Sequence, residues 1–291
     1  MTEPFLADSA PAGAPPPAGA PAGDPASSPA GAPLPLAGRR AVVTGASQGI
    51  GAAIAVALGA AGADVVGLHL HDADGAGAVE ARIAARGRRA ILLDGDAGDP
   101  AVIDRVAATA IEAYGGIDVW VNNAARLMVR PFLETSDEDW HGLLAANLHG
   151  YFYGCRAAAR AMRDGGGGGR IVNLSSAART LAVGELSAYI AAKGAIAGLT
   201  RALAVELAPL RITVNAIAPG AIDTPLNKEA YTPAVRRTYA ERIPLGYIAG
   251  AEEVADTAIF LASHAARYVT GQELVVDGGL TINGTVGHGR T

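Results

Sequence analysis

Thr44-Gly45-Ala46-Ser47-Gln48-Gly49-Ile50-Gly51 stands between an apolar run, Ala41–Thr44, and a helical pattern over Gly49–Ala61. Its glycines allow a tight turn and a close approach of another backbone or of a ligand. A helix that opens on such a turn offers unpaired N–H groups, which suit a pyrophosphate. An ordinary strand-to-helix turn has the same composition, so the place of the motif in the chain must decide.

Working outward, six more apolar runs follow: Val65–Leu70, Ala90–Leu93, Ile117–Val121, Arg170–Leu174, Ile212–Ala216 and Glu273–Val276. Helical patterns fill the gaps at Ala76–Arg86, Pro100–Tyr114, Asp137–Arg163, Ser187–Ala208 and Ala251–Ala262. Strand and helix in alternation predict a parallel sheet with helices on both faces. The runs hardly alternate in polarity, as expected of strands buried on both sides. The fold class read here is α/β: one Rossmann-type doubly wound parallel sheet of about seven strands, flanked by helices. In that frame the glycine motif occupies the first βαβ turn, which favours the nucleotide reading. Ala178–Leu186 and Gly220–Pro244 are long for connectors, and such loops are usually functional. Both leave the carboxyl ends of strands, where doubly wound sheets bind ligands.

Composition narrows the class. The chain has 291 residues and a net charge of −5, from 23 basic and 28 acidic side chains. No dense Lys/Arg block marks a nucleic-acid partner, and no apolar run approaches the ~20 residues that span a bilayer. The N-terminus has no basic stretch followed by an apolar one, so no secretory signal is read. Cys155 is the single cysteine, which rules out internal disulfides and thiolate metal clusters. His141, His149 and His264 lack ligand spacing, so no metal is expected. Ten of the 17 prolines fall in the first 35 residues, and residues 1–37 are mostly Ala, Pro and Gly. Such a segment is expected to be a disordered tail before one domain, 38–291, that includes a substrate loop at 220–244. A cytoplasmic protein with a small-molecule partner, and neither nucleic acid nor membrane, is the expectation.

Tyr189 and Lys193 lie four apart on a helical pattern and so share a face. A phenol titrates near 10, and an adjacent ammonium lowers that value by favouring the phenolate. A tyrosine tuned this way can act as an acid or base near neutral pH. Taken alone, the pair is more often a half-buried aromatic with a solvated lysine. Here it has company. Ser176 stands thirteen residues earlier, and Asn147 lies within the long helical pattern. Asn122-Asn123-Ala124 follows the fourth run and Pro219-Gly220 the sixth. With these motifs the sequence resembles the short-chain dehydrogenase/reductase family over Gly38–Asn283.

The resemblance implies an NAD(P)-dependent oxidoreductase that moves a hydride between nicotinamide and a secondary alcohol or carbonyl. It implies Tyr189 as the catalytic acid/base and Lys193 as the group that lowers its pKa and holds the nicotinamide ribose. Ser176 would hold the substrate oxygen, and Asn147 would anchor a water leading to Lys193. Gly45, Ser47, Gln48, Gly49, Ile50 and Gly51 would surround the pyrophosphate and adenosine ribose. His69 marks the end of the second run, Asp96 and Ala97 would read adenine, and Asn123 would sit beside the adenosine ribose. Pro219, Gly220, Ile222 and Thr224 would meet the nicotinamide end. The family usually reads Asn-Asn-Ala-Gly, and Ala125 replaces that last glycine here, at a cost of about 1 kcal/mol if the position needs positive φ. Members are usually tetrameric, so a homo-oligomer is implied.

Substrate and cofactor choice are less sharply marked. Pro219–Asn227, Ile243–Ile248 and Tyr268-Val269-Thr270-Gly271 with Asp277-Gly278-Gly279 look like the glucose 1-dehydrogenase branch. That likeness implies an aldose or polyol, with Arg179, Glu185, Asn227 and Tyr239 as further hydroxyl contacts. A 3-oxoacyl thioester reductase of the same fold is the alternative. A non-catalytic dinucleotide sensor is the third reading, and the complete Asn147, Ser176, Tyr189, Lys193 set argues against it. An acid at the end of the second strand would favour NAD and a cation NADP. His69-Leu70-His71 stands there, with Asp72 just beyond, and no Lys or Arg occurs from Ala41 to Ala81. The reading favours NAD slightly, with use of both cofactors open.

Overall fold

The computed structural model describes residues 34–284. The expected tail lies outside the described residues up to Pro33, but its last four residues do not. Leu36 is buried in the core, and its N–H donates to Ala61 O at 2.9 Å. A leucine carries apolar area worth burying, which the alanines and glycines before it lack.

Seven strands form one sheet: β1 (Arg40–Thr44), β2 (Asp64–His69), β3 (Ala90–Asp94), β4 (Val119–Asn122), β5 (Gly169–Leu174), β6 (Ile212–Pro219) and β7 (Glu273–Val276). Their order is β3-β2-β1-β4-β5-β6-β7, and every pairing is parallel. Each short β-branched run needs a crossover to reach its parallel neighbour, and helices supply it. These are α1 (Gly49–Ala60), α2 (Ala73–Ala84), α3 (Pro100–Tyr114), α4 (Asp137–Leu144), α5 (Gly150–Asp164), α6 (Ser187–Leu207), α7 (Pro233–Arg242) and α8 (Ala251–Ala262).

Side chains alternate across the sheet and so divide the core in two. Val43, Val65 and Val121 pack toward α1 and α8, whereas Val42, Val66 and Trp120 pack toward α3 and α5. At the amino ends of the strands, Asp118 pairs with Arg39 and Arg40, and Asp64 with Arg88 and Arg89. The opposite end of the sheet is free for a site. Strand order reverses between β1 and β4, which opens a crevice at their carboxyl ends.

Two expectations need correction. The helix expected over Asp137–Arg163 is two helices, joined by a π-helical turn at Ala145–His149. Asn147 sits in that turn with its amide turned to the backbone of Arg126. The loop expected over Gly220–Pro244 contains α7, which starts on Pro233 with Thr232 capping it. Pro at the first helical position and a threonine cap were its start signals.

Of the described helices, α6 has the length and composition to cross a membrane. It packs instead along β6, burying Ala192, Ile196, Thr200 and Ala204.

Candidate active site

Two cavities open at the carboxyl end of the sheet. The first, about 290 Å³, runs past the turn after β1 and the ends of β2, β3 and β4. It brings together Gly45, Ser47, Gln48, Gly49, Ile50, His69, Asp96, Ala97, Asn123 and Thr224, which lay scattered over 180 positions of sequence. The second, about 530 Å³, lies between the segment after β5 and the connection after β6. Ser176, Tyr189, Pro219 and Gly220 are on its wall.

The turn after β1 explains its glycines. Gly45 and Gly49 have φ of +67° and +54°, values that side chains rarely tolerate. Gly51 has a different task. A Cβ there would meet Gly45 O at 1.9 Å, so its bare Cα lets α1 sit against the turn. It belongs to the packing of the motif and does not line the cavity. Asn123 secures the same turn, donating to Thr44 O at 3.0 Å and Gly45 O at 3.1 Å. Thr44 Oγ1 in turn accepts from the N–H groups of Asn123 and Ala124. Ala125 does not have positive φ, so the missing glycine carries no strain.

The first cavity fits a dinucleotide. Gln48 precedes α1 without a side-chain cap, so the first-turn N–H groups remain for an anion. Asp72 is not available to a ribose, because its carboxylate caps α2 through Gly75 N at 3.1 Å. Asp94, at the end of β3, instead faces His71 Nδ1 at 3.4 Å and accepts from the His71 N–H at 2.8 Å. Arg126 is the one Lys or Arg among the described lining residues. Ile222 is buried in the core, and its carbonyl accepts from Asn227 Nδ2 at 3.0 Å.

The residues expected to carry acid/base chemistry sit where the sheet meets α6. Lys193 is fully buried, with Nζ donating to Leu174 O at 2.7 Å and to Tyr151 Oη at 3.1 Å. It lies 5.7 Å from the ring centre of Tyr189. Burial pulls the Lys193 ammonium down to about 7. The Tyr189 phenol moves the opposite way to expectation: burial raises it, and the Ser176 hydroxyl only partly offsets that. Thus a neutral phenol faces a lysine that titrates near neutrality. Asn147 is buried, accepting from Arg126 N at 2.7 Å and donating to Arg126 O at 2.8 Å. Its side chain is spent on holding that segment.

Tyr151 went unnoticed in the sequence. Its hydroxyl bridges Lys193 and Leu174 O, and it follows Asn147 by one helical turn, the only signal it offers. Among the expected hydroxyl contacts, Arg179 pairs with Glu273 and is not on the cavity wall. Tyr239 packs on Tyr231, ring centres 5.3 Å apart.

Known proteins resemble the chain over most of its length. A family model described as enoyl-(acyl carrier protein) reductase matches residues 45–281. A 3beta-hydroxysteroid dehydrogenase 1 of Eggerthella lenta is 40% identical over 85% of this chain and 95% of its own length. An L-rhamnose 1-dehydrogenase (NAD(P)(+)) of Azotobacter vinelandii is 39% identical over 83% and 96%. A short-chain type dehydrogenase/reductase from Mycobacterium marinum superposes with a TM-score of 0.81 at 36% identity, over 86% of this chain and 98% of the other. The chain belongs to the short-chain dehydrogenase/reductase family and is an NAD(P)-dependent oxidoreductase.

Proposed function

We propose that the enzyme interconverts a secondary alcohol and its ketone, carried on a large and mostly apolar skeleton. One observation carries this reading: Ser176 and Tyr189 emerge together on a cavity whose other walls include Leu127, Val129, Leu181, Val183, Val235 and Leu280. At about 530 Å³ the space is generous for a single pyranose, and it falls in the range that encloses drug-sized molecules. The hydroxysteroid dehydrogenase among the relatives supports it.

In this reading Ser176 Oγ donates to the substrate oxygen and Tyr189 Oη exchanges a proton with it. Bound nicotinamide supplies or accepts the hydride. Lys193, titrating near 7, restores the proton of Tyr189 at neutral pH, with Tyr151 holding its amine in place. The residues of the first cavity hold the dinucleotide: Ser47, Gly49 and Ile50 at the pyrophosphate, His69 at the ribose, Asp96 and Ala97 at adenine. NAD is the preferred form, because no Lys or Arg stands at the end of β2 to meet a 2′-phosphate. Exposed Phe152 on α5 and Val205 on α6 support a homo-oligomer, which light scattering reads directly.

An aldose or polyol is the second reading. The rhamnose dehydrogenase relative and the polar groups of Glu185 and Tyr239 on the cavity wall favour it. The test is kcat/KM with NAD⁺ on a bicyclic secondary alcohol, a 3-hydroxysteroid, L-rhamnose and D-glucose, with an acetoacetyl thioester in the reductive direction. Turnover of the alicyclic alcohols with little on the sugars is expected. Sugars alone would establish the second reading, and the thioester alone would sink both.

A further inference from the structure

Ser176 is bracketed by two residues that converge on one carboxylate. Glu273 opens β7, two strands away from Ser176, and pairs in register with Ala216 on β6. One of its oxygens accepts from the Ser175 hydroxyl and the other pairs with the Arg179 guanidinium. Ser175 is buried, and its N–H donates to Ile217 O at 2.8 Å. Arg179 closes the 3₁₀ turn Ala177–Arg179, whose amino end Ser176 caps by accepting from Ala178 N at 3.1 Å. The Arg179 side chain is mostly covered, and its Nε has no partner. The Glu273 side chain is only 10% exposed.

A mostly buried carboxylate between a hydroxyl and a guanidinium is a stiff tie, since breaking either side strands a charge away from water. Its geometry is specific. The tie grips the residue before Ser176 and the residue three after it, so the serine and its turn cannot shift without breaking it. The same turn carries Ala177, Ala178, Thr180 and Leu181 onto the cavity wall. The chemistry described above uses neither Glu273 nor Arg179.

We propose that Glu273 is a positioning residue for the reaction, holding Ser175 and Arg179 so that Ser176 stays on the substrate oxygen. This rests on the reading of Ser176 as the substrate-oxygen contact, whereas the physical tie does not. Two measurements therefore separate them. Hydrogen exchange of the intact chain reads the tie without substrate: Glu273→Gln speeds exchange of 177–181 tenfold or more, while β1 and α1 keep their wild-type rates. Kinetics with NAD⁺ and 2-decalol, a bicyclic secondary alcohol, read the consequence: Glu273→Gln lowers kcat/KM tenfold or more, with the Kd for NAD⁺ within twofold. On a Ser176→Ala background the same substitution costs less than twofold, because the group it positions is gone. Should Glu273→Gln fail to fold, Arg179→Lys gives both readings. Exchange at 177–181 within twofold of wild type overturns the proposal, and so does an equal loss on both backgrounds. Inactivity of the wild type on 2-decalol counts against the substrate reading, and exchange then decides the tie alone.

Discussion

The turn beside the first cavity is shaped by its backbone, whereas side chains shape the second cavity. Gly45, Gly49 and Gly51 are required there by dihedral angle and by contact, so the residue type follows from geometry. The second cavity is walled by leucines, valines and tyrosines from the segments that follow β4, β5, β6 and β7. Many apolar side chains would serve equally in those places. The difference teaches where substitution is costly: Gly45, Gly49 and Gly51 cannot take a side chain without strain or clash, whereas the substrate half can change its ligand without losing the fold.

The sharpest way to separate the halves is Tyr189→Phe. It removes the proposed proton donor at constant shape, so kcat falls by about 10² or more. Isothermal titration with NAD⁺ should show an unchanged Kd. Wild-type kcat in this variant would dissolve the assignment of the second cavity to catalysis.

Gly51→Ala strikes the other half. Alanine is the better helix former by about 1 kcal/mol, yet its Cβ would stand 1.9 Å from Gly45 O. Overpacking of that kind costs about 1–3 kcal/mol. NAD⁺ binding should weaken tenfold or more, and calorimetry should show Tm lower by several degrees. A variant with full affinity would show that the glycine turn does not set the dinucleotide site.

Leu181→Ser should raise KM for the apolar alcohol by about tenfold, the scale of a lost aliphatic contact in a hydrophobic pocket. Dinucleotide affinity should stay put. If KM for sugars falls in the same variant, the wall selects by polarity, and the comparison becomes quantitative.

The smallest effect concerns Lys193, which is buried and lines neither cavity. Folded, it titrates near 7, while unfolded lysine titrates near 10.4. Between those values the unfolded chain holds a proton that the folded chain has released, so stability from this group rises as pH climbs from 7 toward 10. Below 7 both states are charged and that gain is absent. The difference in Tm, wild type minus Lys193→Met, should therefore grow by a few degrees between pH 7 and pH 9. A difference that is flat with pH would mean that the buried amine keeps its ordinary affinity for protons.

Legibility followed the same divide. The strand runs and the glycine turn could be read directly, because burial on both faces and positive φ restrict residue choice at single positions. Tyr189 and Lys193 were legible as a pair only because helical spacing puts them on one face. The direction of the Tyr189 shift was not, since it depends on how much of α6 and the sheet covers the phenol. Asp72 could be read near the end of β2, but only the fold shows that its carboxylate caps α2. Asn147 read as part of one long helix, because no residue type announces a π-helical turn.

Sequence alone determined the alternation of strand and helix and the glycine turn after the first strand, which depend on neighbours within a few positions; the acid/base roles came from the family resemblance. Tertiary structure alone decided that Tyr151 meets Lys193, that Asn147 holds Arg126, and that Glu273 reaches Ser175 and Arg179 from 98 and 94 residues away. Local preferences set which element forms, but contacts across the sheet depend on strand order. Strand order is settled only when the whole chain has buried its apolar faces.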